Sequence, residues 1–245
     1  MSEAIADSDL IISAVTAAQT AVAAGQIAAE CRRDVDVFVL DVNSASPRTK
    51  RACAETVERS GARYVEAAMM SSVPPHGIRV PMLLGGPHAT ELEPMLAKLG
   101  FAATVGSASY GVVSAIKLCR SVIVKGMEAL VIESFLTARR YGVEREVLAS
   151  LVETFPGFDW DRQAAWFWRR VVQHGKRRAE EMREAAVAVA DAGVTPRMAQ
   201  ATADVHSWIA TLRAEGVFAT AAADADWREL ARLIMRETEE QPSRR

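Results

Sequence analysis

Five short β-prone runs punctuate the first 105 residues, and no convincing run of that kind follows them. That switch constrains the fold more than any other feature of this 245-residue chain. Leu10–Val15, Val35–Val42, Arg63–Ala68, Val80–Leu84 and Phe101–Val105 are apolar, β-branched runs of strand length. Helical stretches separate most of them. Ala17–Glu30 is alanine-rich, and Ser46-Pro47 supplies an N-cap and a first-turn proline for a helix that stops at Gly61. Ala89–Leu99 ends at Gly100, a helix-terminating glycine. Alternation of strand and helix predicts an α/β layer with a mostly parallel sheet over residues 1–105. Tyr110–Arg140, Arg145–Glu153, Trp160–Ala190, Pro196–Glu215 and Asp226–Glu239 all read as helices, predicting an all-α domain over 106–245. The polar tail from Glu237 is expected to fray.

The first of these later helices is apolar nearly all round, which predicts burial on most sides. Lys117, Ser121 and Glu128 nevertheless share one stripe of it, flanked by Arg120 and Lys125. A lysine within a buried helix needs a partner, loses its charge, or faces a wet cleft. Ligands of open α/β sheets collect beyond the carboxyl ends of the strands. Three polar clusters are placed there: Thr16–Gln19, Asp41–Ser46 and Met69–His76. The Lys117 stripe, following the last strand, is expected to face the same edge.

The formal charge of −2 argues against nucleic acid as a partner, and no apolar run is long enough to span a membrane. Three scattered cysteines and four dispersed histidines show no metal-ligand spacing, so no metal is expected and a cytoplasmic setting fits.

DLIISAV, Asn43-Ser44, Gly85-Gly86, Gly106, Gly111 and Lys117, in this order, resemble the second half of a β-hydroxyacid dehydrogenase, the group of 3-hydroxyisobutyrate and 6-phosphogluconate dehydrogenases. Residues from Lys117 to the HGKRRAEEM stretch are similar to the family's phosphogluconate-dehydrogenase-like helical domain. The resemblance implies a partial Rossmann-like domain that binds NAD or NADP, and a helical dimer. It implies NAD(P)-dependent oxidation of a β-hydroxyacid with Lys117 as general base. Burial or a cationic neighbour must then lower the lysine's pKa. Thr16 and Asn43 would lie by the cofactor. Ser44, Ser71, Ser72, Arg120, Ser121, Lys125, His174 and Arg178 would hold a small carboxylate substrate.

Several residues depart from the family pattern. Ser71-Ser72 stands where the family has a Ser-Gly-Gly loop, Ser121 replaces an asparagine, and Glu180-Glu181 replaces a lysine-aspartate pair. The family's Gly-x-Gly-x-x-Gly unit, with its pyrophosphate-binding turn, is absent from the sequence, as if the first βαβ unit were removed. An alternative reading is therefore a non-catalytic remnant, acting as a helical dimer or a small-anion binder. Plainer readings also exist for single residues. Asn43-Ser44 also reads as a loop ahead of the Ser46 helix, Ser71-Ser72 with Pro74-Pro75-His76 as a rigid loop, and His174 with Arg177 and Arg178 as a solvated face. The tryptophans 160, 166 and 168 read as core or dimer contacts.

Overall fold

The structure is a computed structural model that describes residues 8–31 and 36–240. Its elements run β1 (Leu10–Ser13), α1 (Thr20–Glu30, after a 3-10 turn at Ala17–Gln19), β2 (Phe38–Asp41), α2 (Pro47–Glu58), β3 (Arg63–Met69), β4 (Met82–Gly85), α3 (Ala89–Lys98) and β5 (Ala103–Ser107). Helices α4 (Val112–Tyr141), α5 (Glu144–Thr154), α6 (Trp160–Asp191), α7 (Arg197–Ala214) and α8 (Trp227–Glu240) complete the chain. The expected α/β layer followed by helices is what forms. The Val35 end of the second predicted strand and the last five residues of the tail lie outside the described residues. The start of that tail does not fray: Glu237 to Glu240 extend α8.

One sheet holds the strands in the order β1-β2-β3-β4-β5. Leu10 sits opposite Phe38, and Phe38 opposite Arg63, in parallel pairs. β4 then runs antiparallel to β3, with Glu66 opposite Gly85, and β5 is parallel to β4. The reversal has a local cause. A parallel return needs a long crossover, usually a helix. Between β3 and β4 the chain forms only a turn at Val73–His76 and a 3-10 turn at Gly77–Arg79. The Met69–His76 cluster is thus partly helical, and β5 ends on the opposite edge from β1, β2 and β3.

The helix α2 begins as its sequence predicts: the Ser46 side chain accepts from the Thr49 N–H, and Pro47 occupies the first turn. The sheet is covered on both faces. Val37, Val39, Cys53, Val57 and Tyr64 form one cluster, and Phe38, Leu40, Val65, Leu84, Leu92 and Leu96 the other.

Two compact units result. One comprises the chain up to Ser121 together with Arg183–Arg197, and the other Val122–Met182 with the chain from Met198 onward. The second unit has its own core, in which Ile132, Phe135, Trp168, Val171, Ile209, Trp227 and Ile234 are buried. Trp168 is therefore a core residue. Trp166 is partly exposed and carries the Arg170 guanidinium over its ring at 4.3 Å. Close approach within this unit depends on Gly175 of α6: a Cβ there would lie 2.7 Å from the His206 carbonyl oxygen of α7. Among the described residues no helix is long and apolar enough to cross a membrane.

The α4 helix is buried on most sides, as expected, with Val113, Leu118, Val131, Ile132 and Phe135 in the interior. One apolar stripe is exposed, with Ile116, Ile123 and Leu130 at 44, 68 and 56%. Its polar stripe is buried, with Ser121 and Lys125 at 6% and Glu128 at 0%. Ser121 does not stand open to solvent. Ion pairs of Lys125 with Glu181 and of Glu128 with Arg178 allow that polar stripe to be buried beside the apolar sides.

Candidate active site

At the carboxyl edge of β1 and β2, Asn43 ties two strand ends together. Its Oδ1 accepts from the Val15 N–H at 2.6 Å, and its Nδ2 donates to Ser13 Oγ at 3.0 Å. Its own N–H donates to Asp41 Oδ1 at 2.9 Å. Asp41 is fixed in turn from below. The buried Lys50 Nζ lies 2.8 Å from Asp41 Oδ1 and donates to the Asp41 carbonyl, while the Tyr64 hydroxyl donates to Oδ2. Burial and the adjacent Asp41 hold the Tyr64 hydroxyl well above the ordinary phenol pKa. From the end of α6, Glu184 accepts from the Ser46 N–H at 2.6 Å and from Thr49 Oγ1 at 3.1 Å. Such a network rigidifies a turn because each polar atom it buries is matched.

The entry of α4 is placed against this same turn. β5 ends on the far edge, but the following residues cross back. The Tyr110 hydroxyl donates to the Tyr64 carbonyl at 2.8 Å and to Glu58. The Gly111 N–H donates to Glu66 Oε1 at 2.7 Å. Gly111 has φ +91°, and a Cβ there would meet the Arg51 guanidinium at 2.5 Å and Pro47 Cβ at 3.0 Å. Only glycine tolerates both demands. Helix α4 therefore starts beside the first turn of α2, next to the β2 strand end. Burial raises the pKa of Glu66, against the opposing pull of Lys50, the Gly111 N–H and the Ser114 hydroxyl.

Lys117 is half-buried on the second turn of α4, with Ser121 buried one turn on and Arg120 exposed. Thr16 is exposed after β1, and its side chain makes no cap hydrogen bond to the turn it precedes. Ser44 is half-buried after β2. Ser71 and Ser72 are exposed after β3. Asn43 brings the Thr16 and Ser44 segments together.

In the helical unit, Lys125 and Arg178 have carboxylate partners within the protein. Lys125 Nζ lies 2.8 Å from Glu181 Oε2. Arg178 grips Glu128 Oε2 through Nε at 2.9 Å and through Nη2. Both donors are thereby drawn inward. Burial lowers the Lys125 pKa, and Glu181 counters it. His174 is exposed, its pKa lowered by partial burial and by Arg177 and Arg178. Glu181 also bonds Arg177 at 2.6 Å.

Sequence patterning did not single out Lys50, Glu66 or His206. Lys50 is 1% exposed. His206 reads as an ordinary residue of α7, yet it is fully buried, 3.7 Å from Glu128 Oε2. Burial, with Arg178 and Lys125 nearby, pushes its pKa down to about 3.

Comparison with known proteins agrees with this architecture. Residues 138–209 match a domain family of unknown function, DUF1932. An uncharacterised 28.5 kDa protein of Methanothermus fervidus is 29% identical over 150 residues, which is 61% of this chain and 56% of that protein. A conserved hypothetical protein of Sinorhizobium meliloti 1021 is 32% identical, with TM-score 0.76 over 96% of this chain and 77% of that one. The conserved protein MTH1747, described as structurally similar to 3-hydroxyacid dehydrogenases, is 29% identical, with TM-score 0.66 over 88% and 80%. At 18% identity, a Mycobacterium tuberculosis 3-hydroxyisobutyrate dehydrogenase solved with L-serine (TM-score 0.60, 95% and 81% covered) shares the fold. So does an Aspergillus terreus reductive aminase solved with NADPH and ethyl levulinate (TM-score 0.50, 95% and 80%). The chain has the 3-hydroxyacid dehydrogenase-like fold, a Rossmann-like sheet followed by a helical C-terminal region.

Proposed function

We propose that the protein is a nicotinamide-linked oxidoreductase of a small β-hydroxyacid, with Lys117 exchanging the proton of the substrate hydroxyl. The observation that supports this most is the position of Lys117: half-buried, on a helix whose start is fixed by Gly111 and Glu66 beside the β2 strand end. Neighbours of the same fold include a 3-hydroxyisobutyrate dehydrogenase and an NADPH-bound reductive aminase.

The described residues fit the nicotinamide end of such a cofactor. Thr16 is exposed at the carboxyl edge with no cap bond of its own, and Asn43 fixes the backbone beside it. The chain contains no glycine turn of the pyrophosphate-binding kind. A bound nicotinamide supplies the hydride acceptor. Lys117 takes the hydroxyl proton during oxidation and returns it in reduction. Ser44, Ser71 and Ser72 present hydroxyls from two strand ends for the substrate carboxylate. Titrating the purified chain with NADPH and NADH, then following nicotinamide absorbance with 3-hydroxyisobutyrate and with L-serine, tests the reading. Saturable binding and turnover are expected, and no binding of either nucleotide at millimolar concentration would sink it.

The exposed stripe of α4 supports a homodimer. Ile123 and Leu130 flank Met127, which lines an apolar cavity of about 590 Å³ with Phe155, Phe158 and Trp160. Knob and hole on one face suit a two-fold interface, in which each copy fills the other. Light scattering should return twice the 26.5 kDa chain mass, and Ile123→Glu should give a folded monomer. A monomeric parent chain would refute the dimer.

A further inference from the structure

Most buried or half-buried cations here have a carboxylate. Lys50, Arg63, Lys125, Arg139, Arg178 and Arg228 all do. Half-buried Arg169 of α6 differs, and exposed Arg213 of α7 stands beside it. Among the described residues, neither makes an ion pair with a carboxylate, and both line one cavity of about 350 Å³ within the helical unit. Backbone carbonyls hold each in place. Arg169 Nη1 donates to the carbonyls of Asp224 and Ala225 at 3.3 and 3.2 Å. Arg213 Nη1 donates to the Val172 carbonyl at 3.1 Å and to that of Gln173. A guanidinium has five N–H donors. Among the described residues these bonds engage only Nη1 of each arginine, so Nε and Nη2 remain available on both.

The rest of the wall is mostly apolar. Phe218, Ala225 and Leu230 are buried sides of the cavity, half-buried Val172 is another, and Gln173 adds one further polar group. Its volume is at the small end of ligand pockets, which combine apolar walls with a few polar groups that set orientation. Two cations without an internal counter-charge want an anion, and planar guanidiniums suit a carboxylate in particular. The apolar floor wants a hydrocarbon body.

We propose that this cavity binds a small monocarboxylate with an apolar chain, its carboxylate held by Arg169 and Arg213 and its chain lying on Phe218 and Leu230. The site lies wholly in the helical unit and does not depend on the dehydrogenase reading.

Hexanoate is the probe, with inorganic phosphate and 1-hexanol as controls, read by calorimetry and by thermal unfolding on the full chain. Ligands of the folded state raise its stability. Hexanoate should bind saturably, and each control at least about ten-fold more weakly. Arg169→Gln and Arg213→Gln should each weaken hexanoate by about ten-fold or more, the scale of a lost charge-assisted bond. Arg213 also bridges two helices, so Ala222→Trp provides a variant that fills the cavity and keeps both arginines. It should abolish binding while circular dichroism stays unchanged. Lys117→Ala should leave hexanoate affinity as it was, which separates this site from the proposed active site. Phosphate binding as tight as hexanoate, unchanged affinity in both arginine variants, or affinity that survives Ala222→Trp would each overturn the proposal.

Discussion

Lys117→Ala is expected to lower kcat for β-hydroxyacid oxidation by about 10²- to 10⁴-fold, the usual contribution of a positioned general acid-base. Substrate KM should change far less, because the serines of the strand-end loops remain. The fold should persist. Lys117 is half-buried, and alanine is the best helix former at a helix-interior position. Glu133→Ala is the matched control: it lies in the same helix, is exposed, and should cost little in kcat. Equal turnover by Lys117→Ala and the parent chain would remove the lysine from the chemistry. A pH-rate profile adds a second check. Losing the proton-exchanging amine should flatten the limb that this group produces.

The second large effect is on stability. Arg178→Met should destabilise the helical unit by about 3–5 kcal/mol, as expected when one partner of a buried ion pair is removed. The cost follows from what remains around Glu128. Its carboxylate is fully buried, and Arg178 supplies its two close donors. Arg170 approaches only to 3.7 Å. His206, at the same distance, cannot supply charge, because its pKa is pushed down to about 3 and the ring stays neutral at pH 7. Urea unfolding at pH 7 measures the change. Glu128→Gln combined with Arg178→Met should recover part of the loss, since the stranded charge is gone. A loss below about 1 kcal/mol for the single variant would mean that water already solvates the pair.

Much of this could be read before the structure. Apolar runs bounded by turn residues located all five strands, and Ser46-Pro47 and Gly100 located helix ends, because these signals act within a few residues of themselves. Contacts distant in sequence were not legible. The reversal of β4 depends on how 12 residues between Met69 and Met82 turn back, which periodicity does not encode. That Glu128 and Lys125 of α4 can be buried is decided by Arg178 and Glu181, some 50 residues later. Lys50 did not stand out because its partner, the Asp41 carboxylate, belongs to the preceding strand end. Lys117 showed up in the polar stripe of its helix, and Gly111 through the resemblance to the β-hydroxyacid dehydrogenases. That Glu66 and Pro47 hold the start of their helix required coordinates.

The exposed stripe of α4 has a consequence for engineering. Stability rests on the sides of this helix that carry Ile132, Phe135 and Glu128 into the fold. The proposed self-association rests on Ile123 and Leu130 at its surface. The two properties can therefore be tuned as independent variables, and a solubilising screen aimed at surface aliphatics would change assembly while sparing the fold.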